Sequence, residues 1–166
     1  MILEINNVQA FVADFLTPVS KVNENCILKI TNTGYQTVVT SADNVLILYA
    51  VYGQKNNIES DISLNIADIS KLVKILNCLD EDKIELIFKG NNLQYISDNI
   101  NFTYHLLADG ILSNPGIDIK KIKDLEFDFK FNIANSTILT LLRVVRLQLK
   151  LTKYTFIQKI TQFMVN

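Results

Sequence analysis

The fold is decided by residues 61–107, which read DISLNIADISKLVKILNCLDEDKIELIFKGNNLQYISDNINFTYHLL. At the start, Ile62, Leu64 and Ile66 alternate with polar neighbours, which is the period of a half-buried β-strand. Asp68 follows at the position of a helix N-cap, and the next apolar residues recur at the i, i+3, i+4, i+7 spacing of one helix face. The sequence therefore predicts a strand and then an amphipathic helix, whose apolar stripe is Ile69, Leu72, Val73 and Leu76.

Three further strands follow this helix in the same stretch. Alternation of apolar and polar residues resumes at 84–88, 93–95 and 100–106, and short polar turns separate these segments. The unit is therefore a βαβββ arrangement in which the helix and the sheet each have one apolar face. The two faces are expected to pack on each other.

Residues 2–52 repeat the same order of elements. A short strand precedes a helix that begins at Asn6 or Asn7, and Pro18 is expected to kink or end that helix. Such a duplication predicts an α+β protein of repeated βαβββ units, with helices on one face of antiparallel sheets. The three strands predicted after the first helix cover residues 26–31, 35–41 and 45–52.

The regular pattern lapses after residue 107 and resumes near residue 126. Gly110, Pro115 and Gly116 punctuate the interval, which is also rich in lysine, and this composition predicts a linker. Alternating phenylalanines then predict a strand, and Asn135 or Ser136 can cap a third helix. The expected domains are a complete first domain at 1–109, an interdomain linker at 110–125 and a partial second domain at 126–166.

Composition indicates a globular chain with a substantial core. Of the 166 residues, 49% are hydrophobic and 20% are charged. Residues 1–115 carry 7 Lys and 13 Asp or Glu, whereas residues 116–166 carry 9 Lys or Arg and 4 Asp or Glu. The first part is therefore net negative by 6 and the second net positive by 5, a distribution that hints at nucleic-acid binding.

The sequence gives no support for a membrane protein, a secreted protein or an enzyme. No apolar run approaches the roughly 20 residues that span a bilayer, and the first residues lack the basic region and cleavage site of a secretory signal. Cys26 and Cys78 lie far apart without metal-ligand spacing, so we expect two buried, reduced thiols in a cytoplasmic protein. His105 is the one histidine and is expected at the surface, while residues 80–82 are expected to form a solvated acidic turn. We therefore expect no enzyme activity, no metal and no cofactor.

Three segments resemble the DNA sliding clamp family, which comprises ring-shaped processivity factors of DNA polymerases. The segment NIADISKLVKILNCLDEDKIELIFKGNNLQYI, residues 65–96, is similar to the family in placing a helix between strands. The segments HLLADGILSNP, residues 105–115, and FKFNIANSTILTLLRVVRLQL, residues 129–149, resemble the T-even-like phage branch. The abundance of Asn, Ile, Lys and Leu is likewise typical of an AT-rich phage genome. The resemblance covers residues 1–157 and rests on the order of the elements.

The resemblance implies a protein that encircles duplex DNA without reading its sequence and tethers the replicative polymerase. In the family the helices line the central hole, so the helix face opposite each apolar stripe should carry cations that attract phosphates. The first helix fits less well, because Gln9, Ala13 and Asp14 flank its stripe. An ordinary solvated helix face would show the same pattern. The expected DNA-binding residues are Lys71 and Lys74 on the second helix and Arg143, Arg146 and Lys150 on the third.

The resemblance also implies a hydrophobic groove beside the linker, which takes up short peptides from polymerase, clamp loader and repair proteins. Ile111, Leu112 and Pro115 are its candidates on the linker, with Tyr49 or Val51 on the sheet below. The same apolar residues can instead pin the linker to the domain. The partners implied are duplex DNA, a DNA polymerase, a clamp loader and further copies in a homotrimeric ring, in the cytoplasm of the host cell if the protein is viral.

The chain is expected to contain only the start of a second clamp domain. Codons for residues 159–166, read in a frame shifted by one base, can encode Asp-Asn-Thr-Val-Tyr-Gly-Lys, which is a turn followed by a strand start. We therefore expect a frameshift or a truncation near this point, which sequencing of the coding DNA can decide. Two alternatives stay open: a truncated clamp that acts only as a protein-binding module, and an unrelated α+β structural protein.

Overall fold

A computed structural model describes residues 1–113 and 115–117, and further along the chain residues 132, 134, 136, 137, 139, 140 and 143. The chain divides into two compact units, Met1–Lys123 and Asp124–Asn166, and each is considered by itself. In the second unit, the described residues from 136 onward are helical, at the place predicted for the third helix. The sequence predicts a strand with alternating phenylalanines before this helix, and those phenylalanines lie outside the described residues. The domain boundaries predicted from the sequence stay a prediction.

Eight strands are described in the first unit, in the order predicted from the sequence. They alternate buried and exposed side chains because each sheet has one face on the core and one in solvent. The strands are β1 Ile2–Ile5, β2 Cys26–Thr31, β3 Gly34–Thr40, β4 Ile47–Gly53, β5 Ile62–Ile66, β6 Ile84–Lys89, β7 Asn92–Ile96 and β8 Asn101–His105.

The strands form two four-stranded antiparallel sheets that exchange their first strands. The sheet orders are β1-β6-β7-β8 and β4-β3-β2-β5. The first strand of each repeat therefore pairs with the second strand of the other, with Ile5 opposite Ile84 and Cys26 opposite Ile66. Each βαβββ repeat completes the sheet of the other repeat, so the two repeats share one hydrophobic core.

The first helical segment spans residues 8–22 and changes its hydrogen bonding midway. It begins with α1, Val8–Ala10, where the side chain of Asn7 accepts a hydrogen bond from the N–H of Ala10 at 2.8 Å. A π-helical turn, Phe11–Leu16, follows. The segment then ends with α2, Thr17–Val22.

Pro18 lies inside this segment, so the prediction that it ends the helix is wrong, while the predicted kink stays a prediction. Within an α-helix, a proline ring meets the carbonyl four residues earlier and its missing N–H removes a hydrogen bond. The π-helical turn widens the ladder just before Pro18, so that the N–H of Thr17 bonds to the carbonyl of Val12. Pro18 then occupies the first turn of α2, where a residue without an N–H is tolerated.

The second helix, α3, covers Ile69–Leu76 and has the predicted cap. The carboxylate of Asp68 accepts a hydrogen bond from the N–H of Lys71 at 2.8 Å. The hydroxyl of Tyr104 in β8 bonds to both backbone groups of Asp68, each at 2.8 Å, and so fastens the start of α3 to the sheet. The predicted stripe faces the core, with Ile69, Leu72 and Leu76 buried and Val73 half-buried.

The two cysteines lie in different environments. Cys26 is buried in β2, and burial raises the pKa of its thiol to about 12, so the thiol stays protonated. Cys78 is exposed just after α3, where its Sγ donates to the carbonyl of Lys74 at 3.2 Å. The expectation of two buried thiols is therefore wrong for Cys78, because the chain has left the buried stripe at that position.

Candidate nucleic-acid interface and peptide groove

The helices of the first unit lie side by side over the core. The α3 helix packs against α2 and against the π-helical turn. A cavity of about 20 Å³ between the helices and the sheets is lined by Phe11 and Leu72 from the helical side and by Leu28 and Leu86 from the two sheets. The apolar stripes of both helical segments therefore point inward, and their polar faces share one surface of the unit.

Lys71 and Lys74 lie on the exposed polar face of α3. Both are exposed, whereas Leu72 and Leu76 on the opposite face are buried. The two ion pairs found in the described part of the chain, Lys29 with Asp61 at 2.9 Å and Lys83 with Glu4 at 2.8 Å, involve neither lysine. Their ammonium groups are thus available to an external anion.

The first helical segment contributes little positive charge to this surface. Gln9, Ala13 and Asp14 are exposed, and Lys21 is the basic residue of its last turn. The polar surface of the helices therefore has its positive charge on α3 and at the end of α2, with an acidic residue on the π-helical turn.

The predicted cations of the third helix are only partly described. Arg143 is exposed in a helical segment of the second unit. Arg146 and Lys150 lie outside the described residues. The assignment of these three residues to DNA therefore stays a prediction.

A groove of about 290 Å³ lies on the outer face of the β4-β3-β2-β5 sheet. Tyr49 lines it and donates a hydrogen bond from its hydroxyl to Oε1 of Gln36 at 3.1 Å. The linker residue in this groove is Ile117, whereas Ile111, Leu112 and Pro115 are not among its lining residues. Val51 is also absent from its walls and is 57% exposed.

The groove is more polar than the sequence predicts. Its walls include Lys29, which pairs with Asp61, together with Thr37 and Ser63. Lys29 and Ser63 alternate with the buried Leu28 and Leu64 along β2 and β5, so they belong to the outward face of the sheet. The signal that could have located the groove was this alternation, since it places Ile27, Lys29 and Ser63 on one outward surface.

Two kinds of feature were not found in the described residues: a cluster of metal-ligating side chains and a helix that could span a membrane. No group of three or more His, Cys, Asp and Glu side chains in that part of the chain could hold a metal ion. None of its helices is long and apolar enough to cross a membrane. The acidic residues 80–82 are exposed, as expected for a solvated turn.

Comparison with known proteins finds similarity at the level of structure. No protein-family model and no curated protein matches the sequence. The structure is similar to PCNA from Thermococcus kodakaraensis, with a TM-score of 0.58 and 17% identity, over 71% of this chain and 50% of that chain. It is also similar to the PCNA2–PCNA3 complex from Sulfolobus tokodaii, with a TM-score of 0.56 and 12% identity, over 72% of this chain and 51% of that chain.

A third similar structure is that of A. fulgidus PCNA with the C-terminal region of FEN-1 bound. Its TM-score is 0.58 at 12% identity, over 70% of this chain and 49% of that chain. The chain thus spans about half the length of the solved clamps that it matches. The mixed α+β architecture, with two antiparallel sheets and helices on one side of them, is therefore the clamp fold of PCNA.

Proposed function

We propose that this protein acts as a DNA sliding clamp, a processivity factor that encircles duplex DNA and tethers a replicative polymerase. The observation that carries the proposal is the position of Lys71 and Lys74. Both lie on the solvent side of a helix whose other side is buried in a clamp-type core. In a ring of such domains the helices would face the duplex, and lysines at these positions would attract its phosphates without contacting base edges.

Sequence-independent attraction suits a sliding clamp for a physical reason. Contacts to phosphates fix where a protein sits around the duplex but carry no base information, so the protein can move along it. The first unit as a whole is acidic, so attraction must come from local charge. The α3 lysines, together with the proposed Arg143, Arg146 and Lys150, would supply that charge.

Removing the α3 lysines should weaken the association with DNA. The double variant Lys71→Gln/Lys74→Gln is expected to lose about tenfold in affinity for duplex DNA at ~0.1 M salt, because two phosphate contacts are lost. The slope of log K against log salt concentration should become shallower by about 1 for each lysine. Fluorescence anisotropy with a labelled duplex of mixed sequence measures both quantities.

A matched control distinguishes the effect of charge on the α3 surface from the effect of the protein's total charge. Lys55→Gln/Lys89→Gln removes the same charge from exposed positions outside the helices, so its salt dependence should stay close to that of the unaltered protein. An equal loss in both double variants would remove α3 from the DNA-facing surface. Undetectable DNA binding by the unaltered protein, even at low salt, would contradict the clamp function.

Ring formation is the second part of the proposal. A ring that encloses DNA should remain on closed circular DNA and leave the same DNA after it is cut to a linear form. We expect retention on the circle when clamp loader is present, and a homotrimeric mass by light scattering. A monomer that is never retained would instead favour the alternative of a protein-binding module. The proposed site of action is the cytoplasm of a host cell infected by a phage.

The proposed polymerase and loader contacts involve short peptide segments. The A. fulgidus PCNA structure contains the bound C-terminal region of FEN-1, and we propose that this protein takes up comparable segments of its own partners near Tyr49. The groove of 290 Å³ at Tyr49 and Ile117 is the described surface that fits this role best. Ile111, Leu112, Pro115 and Val51 remain proposed contacts beside it.

A further inference from the structure

The outer edge of β1 presents unpaired backbone groups in the described part of the chain. The carbonyl of Met1 accepts a hydrogen bond from the N–H of Phe88 at 2.8 Å, so odd-numbered residues of β1 bond to β6. Backbone groups alternate in direction along a strand. Those of Ile2 and Glu4 therefore point away from the sheet.

Side chains already occupy part of this edge. The carbonyl of Glu4 accepts hydrogen bonds from the Tyr35 hydroxyl at 2.6 Å and from Nε2 of Gln54 at 2.7 Å. Oε1 of the same Gln54 amide accepts from the N–H of Asn6 at 3.0 Å. The Gln54 side chain thus bonds to β1 as a neighbouring strand would. The edge groups that have no partner among the described residues are the N–H and the carbonyl of Ile2 and the N–H of Glu4.

A groove of about 630 Å³ lies directly beside these groups. One wall is residues 1–4 of β1 and the other is the loop of residues 55–58. Ile2 is 54% exposed and Ile58 is half-buried, so the groove offers apolar surface as well as backbone partners. Its volume is in the range of sites that bind peptides and small ligands.

The loop wall of the groove carries a positive charge that would favour an acidic side chain in an occupant. Glu4 and Glu85 lie opposite each other on β1 and β6. Lys83 pairs with Glu4 at 2.8 Å, and the two carboxylates raise its pKa, but this single ammonium group leaves Glu85 without an ion pair among the described residues. Lys55 on the other wall is exposed and has no ion pair among the described residues. Lys55 on the loop wall and Glu85 on the β6 side are therefore opposite charges without ion pairs among the described residues, and an acidic side chain of an occupant would be matched at Lys55.

We propose that this groove binds an extended peptide segment of a partner protein, which adds to β1 as a further strand. Backbone groups of the segment would bond to Ile2 and Glu4, an apolar side chain would contact Ile2 and Ile58, and an acidic side chain would pair with Lys55. Addition of a strand to an open sheet edge is an established mode of peptide recognition. The site lies outside the helix surface and the Tyr49 groove, so it does not depend on the clamp function.

Selection from a displayed library of random heptapeptides tests this site on the intact protein. Peptides enriched on the unaltered protein should combine apolar residues with Asp or Glu. When synthesised, they should slow amide hydrogen exchange in residues 1–5. Lys55→Glu should weaken their binding about tenfold, because like charges then meet, and should itself enrich peptides with Lys or Arg. Lys89→Glu, on an exposed lysine outside the groove, should leave the enriched sequences unchanged.

Methylation of the peptide's backbone nitrogens tests the strand mode without altering the protein. N-methyl groups at the alternate positions that face β1 should abolish binding, whereas N-methyl groups at the intervening positions should be tolerated. The proposal is overturned if no peptide is enriched, if the acidic preference survives Lys55→Glu, or if exchange slows elsewhere than at β1.

Discussion

Replacing Gly34 by alanine is expected to lower the free energy of unfolding by about 4 kcal/mol. Gly34 opens β3 with φ of +149°, a conformation that residues with a Cβ rarely adopt, and this strain costs about 1–3 kcal/mol. A Cβ at this position would also lie 2.2 Å from the carbonyl oxygen of Tyr52. That atom belongs to the backbone of the neighbouring strand, so relieving the clash requires β3 and β4 to separate, at a further cost of about 1–3 kcal/mol.

The residue directly opposite provides the control. Gly53 pairs with Gly34 across β3 and β4, but a Cβ on Gly53 would meet nothing within 4 Å. Gly53→Ala should therefore be neutral, or stabilising by up to about 1 kcal/mol, because alanine loses less backbone entropy on folding. Urea unfolding of both variants measures the difference. Equal effects would mean that Gly34 is not held against β4 in solution.

The order of the elements could be predicted because each one has a simple hydrophobic period. The alternation of Ile62, Leu64 and Ile66 and the stripe on α3 each depend only on local spacing. Asp68 caps α3 as predicted, since a cap also depends on a few neighbouring residues.

The exchange of first strands could not be predicted from the same patterns. A period of two identifies the buried face of β1 but not the strand that lies beside it. Pairing of Ile5 with Ile84 joins segments 79 residues apart, and either sheet would bury an equivalent apolar face. The choice depends on the packing of both repeats together, so it becomes visible only in the structure.

The π-helical turn and most of the residues that line the Tyr49 groove were not predicted, for related reasons. The apolar stripe at Val8, Phe11 and Phe15 fits ordinary helical spacing, and only Pro18 signals that the hydrogen bonding before it changes. The Tyr49 groove combines β2, β3, β4, β5 and one linker residue, so no single segment of sequence contains it. Lys71 and Lys74 were placed on a solvent-exposed face, as found, because that prediction needed only the helical period.

Phe11→Ala should destabilise the protein more than truncation of an aromatic residue outside the shared core. Phe11 is 2% exposed, and its ring centre lies 5.0 Å from Tyr35, 5.2 Å from Tyr52 and 5.3 Å from Phe15. Truncating a buried phenylalanine costs about 3–5 kcal/mol through lost burial and the cavity left behind. Total stabilities of small domains are about 5–15 kcal/mol, so urea unfolding should show a much lower midpoint.

Because of the position of Phe11, the loss of stability in Phe11→Ala should affect both sheets. Tyr35 belongs to the β4-β3-β2-β5 sheet, yet its hydroxyl bonds to Glu4 in β1 of the other sheet. A cavity beside Tyr35 should therefore loosen the bond that joins the two sheets, and the whole unit should still unfold in one transition.

Phe102→Ala is the matched comparison for Phe11→Ala. Phe102 is half-buried and stacks on Tyr95 alone among the ring pairs of the described residues, at 5.5 Å, so its truncation should cost about 1.5–3 kcal/mol. Phe11→Leu, which keeps most of the buried volume, gives a folded reference if the alanine variant does not fold, and should cost about 1–1.5 kcal/mol. If Phe11→Ala costs no more than Phe102→Ala, the aromatic cluster does not hold the two sheets together.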